Sequence, residues 1–162
     1  MNANVVTQPF RSERIHQHSN SKYYTLLSLS GTETELLQPN PQYPVSLRLA
    51  IHNGSAHIRL PRSFLGPLTS VLRTSALGAS PALAKRLTIL SDPSGGGTSR
   101  QRYAFVGDYR GTGWERSPKA WRGDELSLEV VNAGVRLSYV DDPESDEIVS
   151  YGQWSSILGS VM

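Results

Sequence analysis

The sequence predicts an all-β fold, and two observations lead to that prediction. Residues 47–60 and residues 126–139 align without a gap and share one pattern of apolar and polar side chains. In both copies the two kinds of side chain alternate with the period of a β-strand. The centre of each copy carries a turn residue, Asn53 or Asn132, so each copy is expected to form strand, turn and strand. The expected architecture is a β-sandwich or a short, solenoid-like stack of β-coils, and such a framework does not by itself specify chemistry.

The N-terminal part of the chain is predicted to be a poorly ordered lead, residues 1–44, with one strand. Residues 1–21 are rich in Asn, Gln, Ser and His and have no helical or strand periodicity, so burial cannot offset their chain entropy. Residues 22–29 have the β-branched, aromatic and apolar character of a strand. A proline-punctuated connector follows, and the compact domain is expected over residues 45–142.

A degenerate third copy of the repeat is predicted between the two clear ones. Residues 68–74 form a strand in this interpretation, because a Gly-Pro turn signal precedes them. When they are aligned with the first copy, Leu68 falls on Leu47 and Thr74 falls on Asn53. The segment therefore weakly echoes the repeat.

The next elements follow from local composition. Residues 82–90 favour helix at their start and strand at their end, so we divide them near Arg86. Residues 91–99 are a loop whose glycine run suits a flexible hairpin better than an anion cradle, since the Gly-Lys-Ser/Thr ending is absent. Residues 101–106 are a predicted strand, and residues 107–123 are a long connection.

The C-terminal residues 143–162 are predicted to pack on the domain as a short helix or segment. Trp154, Ile157, Leu158 and Val161 recur in steps of three and four, which suits one apolar face of a helix.

Composition limits the possible function classes. The 162 residues include no cysteine, which excludes disulfides, thiolate catalysis and thiolate metal sites. No window approaches the roughly 18 consecutive apolar residues of a membrane span, and the first residues lack a secretory signal pattern. We therefore expect a soluble, cytoplasmic protein without a membrane span.

The net charge of +2 is unevenly distributed along the chain. Residues 41–122 contain twelve basic and three acidic side chains, whereas residues 123–162 contain one basic and eight acidic side chains. Neighbouring strands of opposite charge would neutralise each other. The alternative is a basic surface for an anionic partner.

The strongest candidate for a binding surface is the stretch of residues 100–122, where arginines alternate with aromatic side chains. This chemistry suits stacking together with phosphate or carboxylate contacts, and fits a protein, a glycan or single-stranded nucleic acid. No motif for sequence-specific nucleic-acid recognition is present. The alternative is that the tryptophans fill the edge of the core. The candidate ligand-binding residues are Arg102, Tyr109, Arg110, Trp114, Arg116, Trp121 and Arg122.

Other catalytic or metal chemistry has weaker support. His52 and His57 could meet across the first turn, but a metal site needs further ligands, and we predict no metal site and no cofactor. No Gly-x-Ser-x-Gly elbow singles out a nucleophile. A hydrolase would need a cleft that gathers acids such as Asp108, Asp124 and Asp141.

Five short motifs follow one another along the chain at residues 53–61, 64–68, 105–108, 123–126 and 132–141. In their order and spacing they resemble a domain family of unknown function that is widespread in mushroom-forming fungi. The resemblance spans about residues 45–142 and implies no catalytic residues. The repeating Asn-Gly units of that family also resemble, as a pattern, the short β-coils of bacterial adhesins. The chain departs from the family pattern at the second turn, where we expect Gly134 to adopt the left-handed conformation.

These observations favour a non-enzymatic binding or scaffolding module whose partner is a protein, a glycan or another anionic ligand. A hydrolase with a site assembled from loop acids is one alternative. A self-associating structural protein, forming homo-oligomers through strand edges, is the other.

Overall fold

The computed structural model describes residues 5–7, 15–17, 23–29, 32–36, 44–91, 100–143, 147–151 and 154–156. They form one curled mixed sheet in the shape of a half-barrel, with almost no helix, so the all-β prediction is confirmed. The strands are β1 Val5–Thr7, β2 Ile15–Gln17, β3 Tyr23–Leu29, β4 Thr32–Leu36, β5 Val45–Leu60, β6 Gly66–Arg73, β7 Ala76–Ala79, β8 Leu87–Ser91, β9 Arg100–Val106, β10 Glu125–Tyr139, β11 Val149–Ser150 and β12 Ser155–Ser156. Helix α1 is Pro81–Ala84, and a 3-10 turn spans Pro118–Ala120.

The centre of the sheet is a stack of parallel strands, which we call rungs. The two long rungs β5 and β10 lie side by side over their length, with Leu126 opposite Leu47 and Tyr139 opposite Leu60. On one side of them β3 and β4 follow the two halves of β5, and on the other side β6 and β7 follow the two halves of β10. The register of β5 and β10 coincides with the alignment of the two similar sequence segments.

The sequence leaves open whether the two halves of each segment pair as a hairpin or stack as coils. In the structure they pair with neighbouring rungs and not with each other. Each segment is one strand that bends at its centre. Asn53 and Asn132 take positive φ values of 59° and 52° there, a conformation that asparagine tolerates. The Asn132 side-chain amide donates to Asn53 Oδ1 at 2.8 Å. Gly134 does not adopt positive φ, so the expectation for the second turn is wrong.

A third bend lies between β6 and β7. Leu68 is opposite Leu126, which places Thr74 at the position of the two asparagines, and Thr74 has a φ of 49°. The weak echo in residues 68–74 thus corresponds to a third rung with the same bend.

We expect Thr74→Asn to raise the free energy of unfolding by about 1 kcal/mol, because a β-branched residue is strained at positive φ and asparagine is not. Thr74 is exposed, so little packing is lost. Chemical denaturation measures the change. Thr69→Asn, in the extended part of β6, is the matched control and should not stabilise the protein. An equal gain in both variants would contradict the strain argument.

The hydrophobic core lies on the inner face of the curled sheet. Alternate residues of β5 and β10 point into it, and register aligns them in rows across the rungs, such as Ile51 beside Val130 and Ile58 beside Leu137. All four side chains are fully buried. Strand periodicity therefore determines which face of each rung is apolar.

Most of the shorter strands and the helix lie where the sequence predicts them. The strands predicted at residues 22–29, 68–74 and 101–106 are β3, β6 and β9, and the segment divided near Arg86 is α1 followed by β8. Strands β8 and β9 are antiparallel neighbours, as a hairpin requires, while residues 92–99 lie outside the described residues.

At the N-terminal end, β1, β2 and β4 are strands that the sequence patterns did not predict. The poor order of residues 1–44 and the domain boundaries at residues 44 and 142 stay predictions.

The C-terminal residues form strands where they are described, and the helical alternative for them is wrong there. Strand β11 pairs with the edge of β7, and β12 pairs with β8, so backbone hydrogen bonds replace those of a helix. Tyr151 and Trp154 are buried with ring centroids 4.7 Å apart, and Trp154 Nε1 donates to Val149 O at 3.1 Å. Ile157, Leu158 and Val161 lie outside the described residues. None of the helices that the structure describes is long and apolar enough to cross a membrane.

Candidate binding surface

The long connection of residues 107–123 folds over one side chain of β9. Ala104 and Val106 face the core, so Phe105 between them points to the outer face of the sheet, yet it is fully buried. Tyr109, Trp114 and Trp121 cover it, with ring centroids 6.0, 5.3 and 5.9 Å from that of Phe105. We call these three covering rings the aromatic cap. Tilted and edge-to-face contacts of this kind add to the hydrophobic stabilisation.

Hydrogen bonds within the connection fix the first part of the aromatic cap. The Asp108 carboxylate accepts from the Arg110 backbone N–H at 3.0 Å. The Thr112 hydroxyl donates to Tyr109 O at 2.6 Å and accepts from the Trp114 backbone N–H at 3.2 Å. The loop therefore has a defined conformation before any partner binds.

Asp124 ties the other end of the connection to the sheet. Its carboxylate accepts from the Val45 N–H at 2.8 Å and from the Leu65 N–H at 2.9 Å, and the residue is 8% exposed. Trp121 Nε1 donates to the Asp124 carbonyl at 2.9 Å. A side chain at Gly123 would collide with the Trp121 ring, so glycine is required for this close approach.

The structure brings six of the seven candidate residues together in this connection. Tyr109, Trp114 and Trp121 are half-buried against Phe105, which agrees with the alternative that the tryptophans fill an edge of the structure. Their partial exposure also leaves part of each ring at the surface. The arginines of this group are exposed, and they are Arg110, Arg116 and Arg122.

Arg102 lies apart from the other candidates. It shares the inner side of β9 with Ala104, and its guanidinium stacks 4.2 Å from the centroid of the Tyr151 ring. Tyr103, which belongs to the predicted surface of residues 100–122 but not to the seven candidate residues, is on the outer side with Phe105 and is 38% exposed. Strand alternation from Phe105 would have identified Tyr103 and excluded Arg102.

A polar row extends this surface across the sheet. Arg48, Ser127, Thr69 and Tyr103 are register partners on β5, β10, β6 and β9. Arg48 and Tyr103 are exposed, and the two hydroxyl residues between them are half-buried. The row therefore places the hydroxyl groups of Ser127, Thr69 and Tyr103 on neighbouring strands beside the aromatic cap.

The acids proposed for a hydrolase have separate roles. Asp124 holds two backbone amides, and Asp108 stabilises its own loop. Asp141 accepts from Arg62 Nε at 2.8 Å, an ion pair that also raises the pKa of Arg62. Among the residues that the structure describes, no three His, Asp or Glu side chains are grouped to hold a metal ion.

The two histidines near the first bend do not face each other across a hairpin turn. His52 is exposed, but His57 is half-buried, with Nε2 2.7 Å from the Ser138 hydroxyl. The two residues lie on one bent strand and not across a hairpin.

Tyr139 is a buried aromatic residue that lies under the exposed side chain of Arg62. Burial raises the pKa of the Tyr139 phenol, whose ring is fully buried with the Arg62 guanidinium 4.3 Å from its centroid. Arg62 Nη2 also contacts Asp142 at 3.0 Å. The positive charge of Arg62, from the basic region of residues 41–122, is thus neutralised by acidic side chains of residues 123–162.

The stacked parallel rungs and the aromatic cap define a small all-β domain whose outer face carries aromatic and cationic groups. The chain belongs to the family of the domain of unknown function DUF7330, whose model matches residues 2–142. The expected membership of a family of unknown function is confirmed, and the match extends to the N-terminal side of residues 45–142. Comparison with the curated proteins and with the solved structures gives no match.

Proposed function

We propose that this domain is a non-enzymatic binding module whose aromatic cap contacts an acidic polysaccharide. The observation that carries the proposal is the fixed connection over Phe105, which presents partly exposed rings beside exposed cations on one face. The cations are Arg110, Arg116, Lys119 and Arg122.

The chemistry of this face supports an anionic sugar polymer. Guanidinium groups form paired hydrogen bonds with carboxylates, and exposed parts of aromatic rings pack against apolar faces of sugars. The hydroxyl groups of Ser127 and Thr69 supply donors and acceptors for sugar hydroxyl groups. Because the loop is already hydrogen-bonded, little ordering entropy would be lost on binding.

We expect Arg116→Glu/Arg122→Glu to weaken binding to polygalacturonate at least tenfold at low salt, because two attractive charges become repulsive. Isothermal titration at two salt concentrations measures the affinity, with neutral dextran and oligodeoxythymidylate as comparison ligands. Loss of salt dependence in the variant is part of the expected result.

The matched control is Arg73→Glu/Lys85→Glu, which changes the net charge equally at exposed positions outside the connection. It should change the affinity less than threefold. Equal weakening in both variants would mean that overall charge, and not the aromatic cap, governs binding. Tighter binding to the oligonucleotide than to polygalacturonate would indicate that the partner is a nucleic acid and not a polysaccharide.

The remaining sequence-based interpretations are secondary to this proposal. Among the described strands at the edges of the sheet, β1, β2 and β11 are only two or three residues long, and such short edge strands disfavour edge-to-edge self-association. The fungal source and the cytoplasmic location stay predictions.

A further inference from the structure

The chain contains two Ser-Pro dipeptides, at Ser80-Pro81 and Ser117-Pro118. Each serine directly precedes a short helical element, α1 or the 3-10 turn, whose first residue is the proline. A serine followed by proline is the dipeptide that proline-directed protein kinases phosphorylate. The dipeptide alone does not distinguish the two positions, but the fold gives their hydroxyl groups different surroundings.

The Ser80 hydroxyl holds part of the structure together. Ser80 is 3% exposed, and its Oγ donates to the Asp142 carboxylate and accepts from the Leu83 backbone N–H at 3.3 Å. The same carboxylate oxygen accepts from the Tyr139 backbone N–H at 2.9 Å. An enzyme that modifies Ser80 would first have to separate α1 from the end of β10, so this serine is protected in the folded chain.

The Ser117 hydroxyl is accessible. Residues 115–120 are all exposed, and the Ser117 side chain makes no capping hydrogen bond to the 3-10 turn. Short-range backbone hydrogen bonds hold this segment: the Ser117 N–H donates to Gly113 O at 3.3 Å, and the Trp121 N–H donates to Pro118 O at 3.2 Å. Local, exposed contacts of this kind open at little cost, so the segment can enter the cleft of an enzyme while the sheet stays folded.

Ser117 lies within the charged part of the candidate binding surface. The connection of residues 107–123 carries four basic and two acidic side chains, a formal charge of +2. A phosphate group on serine adds a charge of about −1.5 to −2 at pH 7. One phosphate at Ser117 would therefore cancel the net positive charge of the connection. The basic side chains are Arg110, Arg116, Lys119 and Arg122, and the acidic ones are Asp108 and Glu115.

We propose that Ser117 is a phosphorylation site for a proline-directed serine/threonine kinase, and that its phosphorylation releases an acidic polysaccharide from the aromatic cap. In the reaction the Ser117 Oγ forms a bond to the γ-phosphorus of ATP, and the bond from that phosphorus to the β,γ-bridging oxygen breaks. ADP leaves, and the hydroxyl proton passes to the catalytic aspartate of the kinase. The release rests on the function proposed above, whereas the acceptor role of Ser117 does not.

The acceptor role is tested with the full chain, a recombinant proline-directed kinase and MgATP, and mass spectrometry of peptides locates the phosphate. We expect phosphate at Ser117 and none at Ser80, because only the Ser117 hydroxyl is exposed. Pro118→Ala keeps the hydroxyl and removes the proline, and it should lower the initial rate at least tenfold. No phosphate at Ser117, a faster reaction at Ser80, or a wild-type rate for Pro118→Ala would overturn the proposal.

The effect on binding is tested by isothermal titration of the phosphorylated and unmodified chains with polygalacturonate. Phosphorylation should weaken binding at least tenfold at low salt, because the added charge repels the polymer. Ser117→Ala treated with kinase and MgATP is the matched control and should bind like the unmodified wild type. Equal affinity of the two wild-type forms would overturn the release. If the unmodified chain does not bind polygalacturonate, the proposed function fails, and mass spectrometry still decides whether Ser117 is the acceptor.

Discussion

Phe105→Ala is expected to lower the free energy of unfolding by about 3–5 kcal/mol, the usual range when a buried phenylalanine is truncated. The ring is fully buried outside the main core, and three aromatic side chains contact it. Its removal leaves a cavity that the connection of residues 107–123 can fill only by rearranging. Chemical denaturation followed by circular dichroism measures the stability, and tryptophan fluorescence reports the surroundings of Trp114 and Trp121.

The same substitution connects the fold with the proposed function. If the rings and arginines must be held in place, Phe105→Ala should weaken polygalacturonate binding even at a temperature where the protein stays folded. Phe105→Leu keeps most of the volume and should lose less of both properties. Tyr103→Ala is the control for stability, because that side chain is exposed, and it should cost less than about 1 kcal/mol. Wild-type stability of Phe105→Ala would show that the aromatic cap is not supported by this ring.

The register of the rungs could be read from the sequence, but their pairing could not. Leu47 and Leu126 align in the sequence and lie opposite each other, because rows of equivalent apolar residues fill the same layer of the core. The bend at Asn53 is a local property and is visible as an Asn-Gly signal. That signal does not distinguish a hairpin from a bent strand, since the choice depends on partners far along the chain.

The candidate surface is also only partly predictable from the sequence, because local composition is visible there and contacts between distant residues are not. Composition alone indicates residues 107–123, because arginine and aromatic residues are concentrated there. Strand alternation places Arg102 and Phe105 on opposite faces of β9. It identifies the face that belongs to the candidate surface only when the outer face of β9 is known to be covered by the connection.

Asp124 shows the limit of sequence reasoning most clearly, since an acid that was considered for catalysis holds the structure together. Its carboxylate accepts from the backbone amides of Val45 and Leu65, which are 79 and 59 residues away in the chain. These contacts join the start of β5, the turn before β6 and the end of the connection. Composition around Asp124 resembles any acidic turn, so only the fold reveals this role.

Asp124→Ala should lower the free energy of unfolding by about 3–5 kcal/mol, because it leaves two amide donors without a charged acceptor in a largely buried place. Asp124→Asn keeps one carbonyl acceptor and should cost less. Asp108→Ala removes an exposed carboxylate with one local contact, and a loss below about 1 kcal/mol is expected. Denaturant unfolding compares the three variants. Equal losses for Asp124→Ala and Asp108→Ala would mean that the buried contacts contribute no more than a surface turn, and that Asp124 is available for another role.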